Sequence, residues 1–210
     1  SNGTEVEHCG NGARCFAKFV HDQRLTGKRD ISVQTSNGRI MLKIRDDHAV
    51  EVDMGEPVLQ PDQVPFEATT QAPSYSLEQD GHNYTLGVVS MGNPHAVLVV
   101  DDVASAPVFE LGSKLEQHPR FPNKANIGFM QIIDRNTIKL RVFERGVGET
   151  KACGTGACAA VVVGQQQGLL DTNVTTQLTG GNLAIQWQGP GHHLFMDGPA
   201  THVYEGQIKL

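Results

Sequence analysis

No apolar run in this 210-residue chain approaches the roughly 20 residues of a membrane span. No basic-then-apolar leader opens it. Positive charge is not in excess: the net charge is −6, which argues against nucleic acid or an anionic membrane as a partner, since both favour basic patches. Cysteine is sparse. The four residues fall as Cys9 and Cys15, then Cys153 and Cys158, without the Cys-x-x-C pairs of a zinc site, so no metal is expected. A chain of this length buries a core without disulfide staples, and the thiols are read as reduced in a cytoplasmic protein. The Gly-x-Gly strings lack the Lys-Ser/Thr of a P-loop, and they lack the third glycine of a dinucleotide fingerprint.

What the chain does have is a repeat. The string CGNGARC begins at Cys9 and CGTGACA begins at Cys153, 144 positions later. Glu5 and Glu149 precede the two cysteines by four residues each, and Leu25 and Leu169 follow at the same offset. GRIMLKI from Gly38 then matches GNLAIQW from Gly181, and DMGEP matches MDGPA, both at an offset of 143. An ordered series with one single-residue gap points to a duplicated domain rather than to chance.

Each copy reads as cysteine turn, helix, loop, strand, glycine turn, strand. Ala13, Phe16, Ala17 and Val20 form an amphipathic stripe after Cys9. The segment from Ala157 to Gly164 is apolar on all sides and predicts a helix buried on most faces. Residues 31–44 read as a hairpin around Asn37-Gly38. Further strands are expected at 50–54, 84–90, 96–100, 127–133, 137–144 and 183–187. The Pro-rich stretch from Glu56 to Pro65 marks the expected boundary, giving one domain of 1–55 with 199–210 and a second of 56–198. Many strands and few helices in two related halves give the fold class α+β.

A helix that begins at Gly-x-Gly-Ala presents unpaired N–H groups and its positive dipole end, which suits an anion such as a carboxylate. The same dipole favours a thiolate at the preceding cysteine. Two such ends facing one small anion would place a base and an acid on opposite faces of a carbon α to a carboxylate. One thiolate removes a proton and the other thiol returns one, so the stereocentre inverts with no cofactor. Cys15 and Cys158 lie behind these turns and read as core.

The strings EVEHCGNGARCFAKFV, SMGNPH, ANIGFMQI, VFERGVGETKACGTGACAA and GPATHVYEGQI resemble the diaminopimelate epimerases. The resemblance runs through the whole chain, and it implies two similar pseudo-symmetric α+β domains, each a mostly antiparallel sheet around a central helix, with the active site in the cleft between them. It implies interconversion of LL- and meso-diaminopimelate without pyridoxal phosphate, in lysine and peptidoglycan-precursor synthesis, by a homodimer. By position it implies that Cys9 and Cys153 are the catalytic thiols. Gly10 with Asn11, and Gly154 with Thr155, correspond to the helix ends that receive the α-carboxylate, Thr155 standing where serine is common. Asn93, Asn126 and Arg145 correspond to substrate contacts, and His95 and Glu144 to polar groups that seat and activate the substrate. Tyr204 corresponds to a dimer-interface tyrosine. The resemblance also implies several tens of residues before residue 1, so the chain is expected to be a weakly active or inactive fragment. Two other readings remain open at this stage. One is a proline-racemase-like enzyme with the same two-thiol logic; the other is a thiol redox switch joining Cys9 to Cys153.

Overall fold

The computed structural model describes residues 10–35 and 38–208. Helix α1 spans Gly10–Asp22, followed by strands β1 (Asp30–Thr35), β2 (Gly38–Ile44) and β3 (Val50–Asp53). Next come β4 (Tyr75–Gln79), β5 (His82–Ser90), β6 (Pro94–Val99), α2 (Val108–Glu116), β7 (Asn126–Asp134), β8 (Thr137–Glu144) and β9 (Gly148–Thr150). The chain continues through α3 (Gly154–Gln166), β10 (Asn173–Leu178), β11 (Gly181–Trp187) and β12 (Leu194–Gly198). The strands join in the order β1-β2-β3-β12-β11-β10-β8-β7-β6-β5-β4, with β9 on β8. Most neighbours are antiparallel. The parallel pairs are β6–β7 and β8–β10, and each needs a crossover, which α2 and α3 supply.

The duplication is visible in register. Helices α1 and α3 are both 13 residues long and start 144 apart. Hairpins β1–β2 and β10–β11 have the same pairing shifted by 143: Asp30 faces Lys43, and Asn173 faces Gln186. The third strand of each copy returns to an offset of 144, because Leu42 faces Val52 while Ile185 faces Met196. The alignment of DMGEP with MDGPA is therefore one residue out of step with the pairing. Val52 and Met196 are equivalent residues, and they pair with each other across β3–β12. A pseudo-two-fold axis passes through that pair, and the sheet runs unbroken through it.

The expected strands all appear, with small changes at their ends. Sequence reasoning placed no strand at β4, β9 or β12 and no helix at α2. The turn proposed at Asn37 lies outside the described residues. The Glu56–Pro65 stretch is no loose linker: Val58 bridges Ser90 and Val64 is fully buried.

The two helices differ in cover. Helix α3 packs against β5, β6, β7, β8, β10, β11 and β12, and every residue from Gly154 to Gly164 is buried. It can approach β5 closely because a Cβ on Gly87 would lie 2.4 Å from Val163 Cγ1. Helix α1 packs on β2, β3 and α3, and buries Gly10, Arg14, Ala17 and Val20. The expected stripe is thus rotated: Arg14 points inward, and Phe16 is 45 % exposed. Among the described residues, no strands cover α1 as β5–β7 cover α3.

Candidate active site

Four segments meet at one end of the second half's sheet. Strands β6 and β7 start there in parallel, with His95 opposite Asn126, and β8 arrives antiparallel to β7 and ends at Glu144. The chain turns through Arg145-Gly146, passes β9, and enters α3 at Cys153. The N-cap Cys153 is extended (φ −121°, ψ 109°), and its carbonyl accepts the first helical bond, from the Ala157 N–H at 3.0 Å.

The polar side chains form a linked set. His95 is 1 % exposed, and its Nε2–H donates to Asn93 Oδ1 at 2.9 Å. Asn126 Nδ2 donates to the Pro94 carbonyl at 3.0 Å, and its Oδ1 accepts the Arg145 N–H at 3.0 Å. Asn126 therefore commits most of its amide to fastening β6 to the Arg145 turn, leaving one amide hydrogen for a ligand. The Arg145 guanidinium reaches the Asn123 carbonyl at 3.1 Å. Thr150 Oγ1 donates to Glu144 Oε1. The Glu144 carboxylate lies close enough to the Cys153 thiol to act on its ionisation.

The expectation of a favoured thiolate at Cys153 is overturned. Burial, then the Glu144 carboxylate, push this thiol up to about 12. The Thr155 hydroxyl, 3.6 Å from the sulfur, and the Gly156 N–H favour the thiolate, but they do not compensate. Only 4 % of Cys153 is exposed, so the cost of desolvating a thiolate outweighs the helix end. Resting Cys153 is a protonated thiol, suited to deliver a proton. His95 is lowered to about 3, first by burial and then by Arg145, so its ring is neutral at physiological pH and can donate only from one nitrogen.

The first copy's helix end comes to the same place. A Cβ on Gly10 would lie 2.4 Å from Met196 Cε, and one on Gly154 would lie 3.4 Å from the same methyl. Both helix N-termini therefore converge on the residue that carries the pseudo-axis. Asn11 Nδ2 donates to the Ala152 carbonyl at 3.2 Å, just before Cys153, and its Oδ1 accepts from Arg14 at 2.8 Å. Cys9, the other expected thiol, lies outside the described residues. At the second helix end, Gly154 and Thr155 offer N–H groups with no intrahelical acceptor.

The remaining assignments divide. Cys158 is fully buried, as expected of core, and burial raises its pKa further than that of Cys153. Cys15 was expected in the core but is exposed, because α1 turns that face outward. Tyr204 is 83 % exposed in a C-terminal segment without regular structure, far along the chain from the catalytic end. The sequence reading missed Thr150, Arg14 and Glu116. Thr150 and Arg14 lay within quoted strings, but only their hydrogen bonds reveal what they hold.

A sequence profile described as diaminopimelate epimerase matches residues 1–60 and 87–203. A diaminopimelate epimerase of Pseudomonas syringae pv. tomato is 58 % identical over all 210 residues, which span 76 % of that relative. One from Stutzerimonas stutzeri is also 58 % identical, with the same coverage. Among solved structures, a probable proline racemase from Agrobacterium radiobacter superposes with a TM-score of 0.75 at 14 % identity, over 100 % of this chain and 70 % of that one. A PhzF-family phenazine biosynthesis protein from Bacillus anthracis gives 0.69 at 14 % identity, over 100 % and 79 %. These two likenesses speak for the α+β fold alone, while the profile and the close relatives decide the rest: the chain belongs to the diaminopimelate epimerase family.

Proposed function

We propose that this chain carries the site of an isomerase that interconverts LL- and meso-diaminopimelate by two-base proton transfer, without pyridoxal phosphate. The observation that carries this reading is the convergence of two equivalent helix N-termini on Met196, each next to a cysteine in sequence. Cys153 begins as the thiol and returns a proton to Cα; Cys9, its counterpart in the sequence repeat, begins as the thiolate that removes one. The N–H groups of Gly154 and Thr155, with those of Gly10 and Asn11, receive the α-carboxylate and the charge that develops on it. Glu144, beside the Cys153 thiol, takes part in resetting its proton, while Thr150 holds that carboxylate. Asn93, Asn126 and Arg145 hold the distal end of the substrate, and His95, with Glu144, seats and activates it. On this reading the halves are 1–55 with 199–210 and 56–198.

The homodimer belongs to the same proposal, with Tyr204 at its interface. Val203, Tyr204 and Ile208 are each more than 80 % exposed, an apolar set that favours a covering partner. Biosynthesis of lysine and of peptidoglycan precursors places the enzyme in the cytoplasm.

The test is to incubate the full-length protein with LL-diaminopimelate and follow the meso isomer by chiral chromatography. Conversion without added cofactor is expected. Racemisation of proline with no conversion of diaminopimelate would overturn the reading.

A further inference from the structure

Glu116 is a buried carboxylate for which the two-base chemistry has no use. It is the last residue of α2 and 5 % exposed. Both circumstances are unfavourable: an anion at a helix C-terminus opposes the dipole, and burial costs solvation. Its partners show what offsets this. Oε1 accepts the Gly146 N–H at 2.8 Å, Lys124 Nζ stands 3.8 Å away, and the Glu116 carbonyl accepts the Ala125 N–H at 3.2 Å.

Those contacts reach two of the segments that hold the candidate substrate contacts, the Arg145 turn and the start of β7. Gly146 follows Arg145 in the turn after β8 and has φ +71°, a left-handed conformation that only glycine adopts cheaply. Within this turn the Arg145 N–H goes to Asn126, the Gly146 N–H to Glu116 and the Val147 N–H back to the Glu144 carbonyl at 3.0 Å. Two successive N–H groups of the turn are therefore held by buried side chains from other elements. Ala125, the second attachment, immediately precedes Asn126. One helical turn before Glu116, a Cβ on Gly112 would lie 2.7 Å from Phe143 Cβ, so α2 sits directly on the strand residue before Glu144. Gly112 and Glu116 share the buried face of α2.

We infer that Glu116 is a positioning residue for substrate binding: its side chain holds Gly146, and so fixes the Arg145 turn, whose N–H is bonded to Asn126, at the distance the substrate's distal end requires. The inference rests on the proposed epimerase activity. What matters is an acceptor at the reach of the Glu116 side chain, not its charge, so glutamine substitutes for it. Aspartate is one methylene shorter and withdraws the acceptor.

The experiment uses the full-length protein with Glu116→Gln, Glu116→Asp and Glu116→Ala, measuring kcat and KM for diaminopimelate together with the melting temperature. Glu116→Gln is expected within about threefold of the wild type in KM. Glu116→Asp and Glu116→Ala should raise KM by about tenfold, the loss of one buried positioning bond, with kcat changed less. If Glu116→Ala does not fold, the Gln and Asp pair decides. An unchanged KM in Glu116→Asp, a lowered melting temperature with no KM change, or a Gln variant as impaired as Asp would each overturn the assignment. A wild type that fails to epimerise would instead remove the functional reading beneath it.

Discussion

Glu144→Gln should lower the pKa of Cys153. The thiol is lifted from 9.0 to about 12 by burial first and the Glu144 carboxylate second. At pH 8 that leaves about one thiol in ten thousand ionised, against about one in ten for an ordinary cysteine. The three-unit difference corresponds to about 4 kcal/mol between the protonation states, as an upper bound. Removing the Glu144 charge leaves burial in place, so the shift shrinks without vanishing. The assay is alkylation with iodoacetamide in the full-length protein, read peptide by peptide by mass spectrometry, with exposed Cys15 reporting on reagent. The reading is the pH dependence, because burial slows access at every pH. In the wild type, Cys153 alkylation should climb about tenfold per pH unit through pH 10 without levelling. In Glu144→Gln it should level at a lower pH. A wild-type plateau below pH 9, or a Gln variant whose plateau is unmoved, would refute the argument that burial and Glu144 govern this sulfur.

Other outcomes follow from the same contacts. His95 is held at about 3, against 6.5 for an ordinary histidine. The unfolded chain therefore binds a proton that the folded one refuses, and stability should fall by up to about 1.4 kcal/mol per pH unit below pH 6.5, checked by urea melts; His95→Asn should flatten that slope. Asn126→Leu removes the bonds to the Arg145 N–H and to the buried Pro94 carbonyl, and is expected to destabilise by about 1–3 kcal/mol, measured by chemical denaturation. Gly87→Ala drives a methyl into Val163 and should lower stability by about 1–3 kcal/mol in a thermal melt.

The duplication was legible because both copies keep their punctuation: the cysteine turn, the hairpin glycines Gly38 and Gly181, and the alternating Ile40, Leu42 and Ile44. Apolar alternation marked β2, β8 and β11 for the same reason. Helix α2 was not legible because it is only nine residues long and no side chain caps its start, and β9 has three residues, too few for any period. The orientation of α1 was misjudged because Phe16 outweighs Arg14 on any hydropathy scale, yet the guanidinium has inward partners: the Pro199 carbonyl at 3.3 Å, Met196 Sδ at 3.6 Å and Asn11 Oδ1. The cysteine's ionisation was misjudged because sequence reveals the helix end but not the burial or the carboxylate beside it. Most of the site residues were named from resemblance. Glu116 could not be, since its partner lies 30 residues away and nothing in the sequence marks a helix-terminal glutamate as buried.

Inversion needs an acid on one face of the substrate and a base on the other, with Cys153 as one of the pair. Deuterium incorporation at Cα of diaminopimelate in heavy water, followed together with isomer composition, tests this most directly in the full-length wild type and in Cys153→Ala. Wild-type turnover is expected to place solvent deuterium chiefly in the isomer being formed, and Cys153→Ala to abolish interconversion while its melting temperature stays close to that of the wild type. Interconversion at the wild-type rate in Cys153→Ala would contradict two-base inversion.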